Sequence, residues 1–125
     1  MEKVIYDSHM HTPLSMHSTG WPVDYAKVAI EKNFKGICFT DHAPVVKYPW
    51  VQDFWTIPER IFDSYFSLIK FTKEYIGDAL DIRLGVEVDF VHNNQDMDYL
   101  RSIINYAPYD IYFRERACYK AVFMG

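Results

Sequence analysis

Short apolar runs alternate with amphipathic stretches along this chain of 125 residues. Three apolar runs, at residues 3–6, 37–39 and 81–91, predict buried strands. Three stretches with apolar positions three and four apart, at residues 22–34, 58–77 and 94–106, predict helices. The run "YDIYF", at residues 109–113, predicts the start of a fourth strand.

The second helix has the clearest pattern. Pro58 is expected in its first turn and Gly77 at its end. Its predicted inner stripe comprises Ile61, Tyr65, Leu68, Ile69 and Thr72. In the other two helices the residues expected to face inward are Ala26, Ala29, Ile30, Leu100, Ile103 and Ile104. Because strands and helices alternate, we expect an α/β fold with parallel strands and crossover helices.

Polar side chains follow the apolar runs at the point where each predicted strand ends. They are His9 and His11 after the first strand, Asp41 and His42 after the second, and Glu87 and Asp89 at the end of the third. The carboxyl ends of parallel strands meet at one edge of a sheet, where such folds place their chemistry. The sequence therefore predicts one polar rim.

The histidines of this rim are candidate metal ligands. Where the extended backbone continues past the apolar run, His9 and His11 lie on the same face because side chains alternate. His17 in the next loop could fold back over them. Glu87 ends an otherwise apolar strand, where an acid is costly unless it is paired or bound to a metal. Mixed histidine and carboxylate ligands suit zinc, iron or manganese. The alternative is a pair of half-buried, hydrogen-bonded histidines.

Two aspartates accompany these ligands. Asp41 precedes His42 and could hold a ligand imidazole through its other N–H, as carboxylates behind metal sites do. Asp7 has the same strand parity as His9. The alternative for an Asp-His pair is a helix cap or a turn.

Composition narrows the class of protein. Half of the residues are hydrophobic and 18% are aromatic, which is ample for a packed core. A net charge of −4 without a basic run does not indicate a nucleic-acid or membrane partner. The N-terminus does not resemble a signal peptide. Cys38 and Cys118 lie far apart, which favours a reduced cytoplasmic protein, with a disulfide as the alternative.

Four motifs carry a family resemblance. "DSHMHT" at residues 7–12, His17, "FTDH" at 39–42 and "GVEVDF" at 85–90 together resemble the PHP family of metal-dependent phosphoesterases. Within that family the motifs are most similar to those of the histidinol-phosphatases. The resemblance spans residues 4–110.

The resemblance implies a fold and a site. The fold would be the N-terminal part of a distorted (β/α)7 barrel, formed by residues 1–110, with up to three divalent ions in the complete family fold. The implied metal ligands are His9, His11, His17, His42 and Glu87. Glu87 and His42 would serve catalysis. From their positions in the sequence, Asp7 and Asp41 are expected to stand behind the ligands. His92 matches no family ligand.

The resemblance also implies an activity. The expected reaction is hydrolysis of L-histidinol phosphate to L-histidinol and phosphate, a step of histidine biosynthesis, by water activated at the divalent metal ions. The expected partner is a small phosphorylated substrate, and neither nucleic acid nor membrane is expected.

The family pattern ends after Asp110. The segment 111–125, "IYFRERACYKAVFMG", has Arg114, Glu115 and Arg116 in a row where a buried strand is expected. One permitted codon choice, shifted by one base, reads Tyr-Ile-Phe-Gly-Ser-Val instead, which resembles the family's next motif. We therefore expect 111–125 to be an atypical, frame-shifted tail. We also expect this shortened chain to bind metal weakly and to hydrolyse phosphate esters poorly or not at all.

Other functions stay open at this point. One is a PHP phosphoesterase acting on nucleotides or another phosphate ester. Another is a non-catalytic, metal-binding fragment. The amidohydrolases also place His-x-His after a first strand, but they lack the "TDH" and "GVE" pairing of this chain.

Overall fold

The structure is a computed structural model. It describes residues 6–16, 18–44, 56–89, 98–99, 101–103, 105–106, 109–116 and 119–124. The predicted ligand His17 lies outside these residues, as do the predicted inward residues Leu100 and Ile104 and the start of the predicted first strand.

Strands and helices alternate in the first part of the chain. The main elements are β1 (Tyr6–Met10), α1 (Pro22–Glu31), β2 (Gly36–Phe39), α2 (Phe62–Ile76), β3 (Asp81–Asp89), β4 (Ile111–Arg116) and β5 (Tyr119–Met124). Short 3-10 helices cover Pro13–Ser15, Glu59–Ile61 and Gly77–Ala79. Residues 98–99 and 101–103 are helical, inside the third predicted helix.

One five-stranded sheet organises the fold, with its strands in the order β1-β2-β3-β4-β5. The first four strands are parallel to one another, and β5 runs antiparallel to β4. The predicted α/β class with parallel strands is therefore confirmed. The fourth strand expected at "YDIYF" begins at Ile111.

Two predicted boundaries were wrong. The first strand was expected to end at Tyr6, but β1 continues to Met10, which pairs with Phe39 of β2. Within the described part of the chain β1 is an edge strand, and its polar residues are exposed or half-buried there. Pro58 was expected in the first turn of α2, but it precedes a 3-10 helix, and the α-helix begins at Phe62.

The core lies between the sheet and the two helices. From the predicted stripe of α2, Tyr65, Ile69 and Thr72 are buried, and Phe62 joins them. The other two stripe residues are half-buried. Ala26 and Ala29 of α1 are buried, whereas Ile30, predicted to face inward, is exposed. Helix α2 therefore packs its Tyr65 face beneath the strand ends that carry the polar rim.

Candidate metal centre

The rim residues come from three neighbouring parallel strands. His9 is the fourth residue of β1, and His11 follows the strand directly. Asp41 and His42 follow β2, and Glu87 lies near the end of β3. A single bridge between His42 and Glu87 continues the pairing beyond the end of β2. The parallel arrangement brings these side chains to the same edge of the sheet.

One carboxylate oxygen of Glu87 is the centre of the cluster. Its Oε2 atom lies 2.8 Å from Nε2 of His9, 3.4 Å from Nε2 of His11 and 3.6 Å from Nε2 of His42. The two nitrogens of His9 and His11 are 3.1 Å apart. Glu87 is only 1% exposed. Three imidazoles therefore converge on a buried acid.

These spacings match those between ligands of one metal ion. Two ligands at about 2.0–2.1 Å from an ion, at tetrahedral or octahedral angles, stand about 2.8–3.4 Å apart. His9 and His11 each offer a ring nitrogen and Glu87 offers a carboxylate oxygen, and these three atoms lie within 4.8 Å of one another. Lone pairs converging at such distances repel unless a ring proton or a cation lies between them. The donor set therefore fits a divalent cation.

Asp41 determines which nitrogen of His11 faces the cluster. Its Oδ1 atom lies 3.1 Å from Nδ1 of His11. A carboxylate only accepts, so Nδ1 carries the hydrogen, and in the neutral ring Nε2 presents its lone pair towards Glu87. This tautomer is the one that binds a metal through Nε2.

Asp41 is itself held by several donors. Its Oδ2 atom accepts from the amide of Thr12 at 2.9 Å and from the Thr12 hydroxyl at 2.5 Å. Its Oδ1 atom accepts from the amide of His42 at 2.9 Å. Burial alone raises the pKa of Asp41, but hydrogen bonds from His11, Thr12 and Ser15 bring its pKa below the ordinary value. Asp41 is thus a buried, ionised acceptor.

Backbone hydrogen bonds fix Glu87 and His42 against each other. The amide of Glu87 donates to the carbonyl of Asp41 at 2.9 Å, and the amide of Ala43 donates to the carbonyl of Glu87 at 2.8 Å. The carbonyl of His42 accepts from the amide of Ile57 at 3.0 Å. Because main-chain bonds hold both residues, the positions of their side chains depend on the β2–β3 register.

Asp7 occupies a different environment from Asp41. It is exposed, and its Oδ1 atom accepts from the amide of His9 at 3.1 Å. A cavity of about 280 Å³ beside the imidazoles is lined by Asp7, His9, Met10, His11, Ser18 and Tyr25. The structure therefore brings Asp41 to a histidine ring and leaves Asp7 on the strand edge.

Sequence reasoning missed two residues of the site. Thr12 donates twice to Asp41, and its place directly after the His-x-His pair was a usable signal. Tyr65 was read only as a core residue, yet its hydroxyl reaches the backbone at Asp41. The spacing of apolar residues along a helix shows which side chains face the core, but it does not show which backbone groups a tyrosine hydroxyl contacts.

The protein is of the α/β class, and its histidines and a buried acid gather at the carboxyl ends of parallel strands. A family model described as "PHP domain" matches residues 7–121, so the chain belongs to the PHP domain family.

The similar proteins include named phosphatases. The chain is 40% identical over 87 residues to the "Probable histidinol-phosphatase" of Deinococcus radiodurans, with 67% of this chain and 32% of that protein covered. It is 33% identical over 114 residues to the "Histidinol-phosphatase" of Bacillus subtilis, with 82% of this chain and 40% of that protein covered. The chain thus spans about a third to two-fifths of these curated relatives.

A solved structure shares the fold. It is histidinol phosphate phosphatase from Lactococcus lactis, crystallised in complex with zinc, L-histidinol and phosphate. The match has a TM-score of 0.69 at 21% identity and covers 91% of this chain and 42% of that one. At this identity the likeness shows the fold alone.

No helix within the described part of the chain is long and apolar enough to cross a membrane.

Proposed function

We propose that this chain is the N-terminal part of a histidinol-phosphatase, which hydrolyses L-histidinol phosphate to L-histidinol and phosphate in histidine biosynthesis. The observation that carries the proposal is the convergence of three imidazole nitrogens on Oε2 of Glu87. The names of the Deinococcus and Bacillus relatives support the choice of substrate. A cytoplasmic location is proposed with it.

The cluster offers two neighbouring metal positions. His9, His11 and Glu87 would hold one divalent ion. His42, 3.6 Å from the same oxygen of Glu87, would help to hold a second ion. Zinc, manganese and iron suit this ligand set. His17 stays a predicted further ligand, and a third ion stays a prediction of the complete family fold.

The chain's own residues would prepare this site for a phosphate ester. Bound divalent ions would supply a Lewis acid that activates water and offsets phosphate charge. Glu87 contributes a buried negative charge that holds cations at the rim. Asp41 keeps the Nε2 lone pair of His11 aimed at the cluster and raises the basicity of that nitrogen. The cavity beside His9 leaves room for a small substrate.

The division of the chain at residue 110 stays a prediction. Under it, residues 1–110 form the N-terminal part of the PHP domain, and residues 111–125 form an atypical, frame-shifted tail. The family match continues past Asp110 to residue 121. Sequencing the gene together with close relatives tests this division, because an uninterrupted frame with the same tail in those relatives would contradict it.

Phosphate release tests the proposed activity. This chain, and a version frame-shifted by one base after Asp110, are assayed on L-histidinol phosphate with added manganese or zinc. We expect metal-dependent turnover in the frame-shifted version, which His11→Ala removes there, and much slower turnover or none in this chain. Metal-dependent turnover of other phosphate esters, but not of L-histidinol phosphate, would contradict the proposed substrate.

A second candidate is a PHP phosphoesterase with another substrate. The "Probable phosphatase Teth514_1060" of a Thermoanaerobacter species is 30% identical over 102 residues, and 82% of this chain and 37% of that protein are covered. Nucleoside monophosphates and p-nitrophenyl phosphate in the same assay separate the two candidates. Metal binding without turnover of any ester would favour a non-catalytic fragment.

A further inference from the structure

The hydroxyl of Tyr65 lies between β2 and β3, the strands that lead to His42 and Glu87. Tyr65 belongs to α2, on the face that packs beneath the sheet, and it is fully buried. Its hydroxyl oxygen lies 2.8 Å from the carbonyl oxygen of Gly85 and 2.9 Å from that of Phe39. It also accepts from the amide of Asp41 at 3.3 Å. A helix side chain thus contacts the backbone of β3 and of the segment that follows β2.

This contact fills a gap in the β2–β3 ladder. The strands pair as far as Phe39 opposite Leu84, and pairing resumes at His42 opposite Glu87. In an uninterrupted parallel ladder of this register, the amide of Asp41 would donate directly to the carbonyl of Gly85. The Tyr65 hydroxyl stands between these two groups. It accepts a hydrogen bond from the amide of Asp41 and lies within donating distance of the carbonyl of Gly85.

We propose that Tyr65 is a positioning residue of the metal centre, an inference that rests on the proposed function. Its hydroxyl sets the position of the Asp41 backbone relative to Gly85, which lies two residues before Glu87. Asp41 in turn orients the ring of His11. The Tyr65 hydroxyl therefore couples the position of Asp41 to the position of Glu87. Tyr65 itself is not among the candidate ligands.

Tyr65→Phe tests the proposal, because it keeps the ring and removes only the hydroxyl. Thr72→Val is the matched control. Thr72 lies on the same helix and is equally buried, but its hydroxyl donates to the carbonyl of Leu68, within the helix, at 2.8 Å. Both variants lose a buried hydroxyl, but only Tyr65→Phe loses one that bonds to the backbone of the β2–β3 ladder.

Two measurements separate positioning from a merely structural role. The first is the affinity for Zn²⁺ or Mn²⁺ by calorimetry on the full chain, where we expect Tyr65→Phe to weaken binding by about tenfold or more. The second is amide hydrogen exchange of Asp41 in the metal-free protein, where we expect faster exchange. Thr72→Val should change neither, even where it lowers the melting temperature equally. Wild-type affinity and protection in Tyr65→Phe, or equal losses in Thr72→Val, would overturn the proposal.

The wild-type chain provides an independent check that needs no variant to fold. We expect the Tyr65 hydroxyl proton to exchange slowly and to show a nuclear Overhauser effect to the Asp41 amide proton. If this Overhauser effect is absent, the positioning role of Tyr65 is overturned. Failure of the wild-type chain to bind either metal would instead overturn the proposed metal centre, while the exchange data still decide where Tyr65 acts.

Discussion

Oδ1 of the fully buried Asp41 lies 3.1 Å from Nδ1 of His11. This pair turns the other nitrogen of His11 towards Glu87, 3.4 Å away. A carboxylate that only accepts therefore selects the tautomer of a candidate ligand, and the buried environment makes that selection strong.

Asp41→Asn should separate the roles of the two aspartates near the histidines. An asparagine presents an N–H₂ group to the donors of Thr12 or His11, so at least one donor loses its acceptor. We expect metal affinity to fall about 10–100-fold, together with a loss of about 1–3 kcal/mol in the free energy of unfolding. Calorimetry and denaturant unfolding measure the two effects. Asp7→Asn, at an exposed position, is the control, and equal losses in both variants would contradict this distinction.

His11→Ala should remove most of the metal affinity while leaving the fold largely intact. The side chain is 17% exposed at the rim and contributes little to the core. The loss should exceed the ~10–100-fold expected for an outer partner of a ligand. Metal titration and circular dichroism measure the two properties. His92→Ala, at a position predicted to lie outside the ligand set, is the control, and unchanged affinity in His11→Ala would rule out His11 as a ligand.

Gly36→Ala should destabilise the protein strongly. A Cβ at Gly36 would stand 2.1 Å from Cε1 of Tyr6 and 2.6 Å from the backbone oxygen of Asp81. The ring could move away, but the backbone oxygen belongs to the paired strand β3. We expect a loss of about 3 kcal/mol or more in denaturant unfolding. Gly77→Ala should cost less, about 1–3 kcal/mol, because a Cβ there meets nothing within 4 Å and only the backbone conformation (φ 63°, ψ −141°), which L side chains rarely adopt, opposes it.

Cys38 should be unreactive in the native protein. Burial, with a smaller contribution from Asp110, raises the pKa of its thiol to about 12. In a Cys118→Ser background, where Cys38 is the remaining thiol, we expect no labelling by a thiol reagent at pH 8 until denaturant is added. Labelling of the native protein at the rate of a free cysteine would contradict the buried placement.

Asp81 should contribute to stability above its own pKa and lose that contribution in acid. The Tyr6 hydroxyl donates to its Oδ2 at 2.5 Å and Nε of Arg83 donates at 3.0 Å, and both bonds lower the pKa of Asp81 against the opposing effect of burial. The folded pKa lies below the unfolded value. The stabilisation is therefore complete above about pH 4, the ordinary range for aspartate, and is lost as pH falls through the folded pKa.

Carbon-13 titration of the Asp81 carboxyl checks this prediction. Tyr6→Phe should raise its pKa towards the ordinary value, and the stability difference between the variant and the wild type should shrink in acid. A pKa that does not move in the variant would show that the hydroxyl is not its main cause.

Local pattern was sufficient for the class of the fold and for the rim. Apolar runs and helical stripes depend on residues near one another in sequence, so the parallel sheet and the helices α1 and α2 followed from them. The candidate ligands followed from parallel topology, because the ends of β1, β2 and β3 must meet at one edge. The end of β1 did not follow, because pairing with β2 extends it through polar residues.

Contacts between distant parts of the chain decided the rest. Sequence spacing alone placed Asp7 and Asp41 in similar roles behind the ligands, and only the folded chain buries Asp41 against His11 and leaves Asp7 exposed. The same holds for Tyr65, whose hydroxyl reaches the β2–β3 ladder only because α2 packs beneath it. Residue types and strand order determine which side chains can meet, whereas the register of β2 on β3 and the packing of α2 determine the distances at which they do.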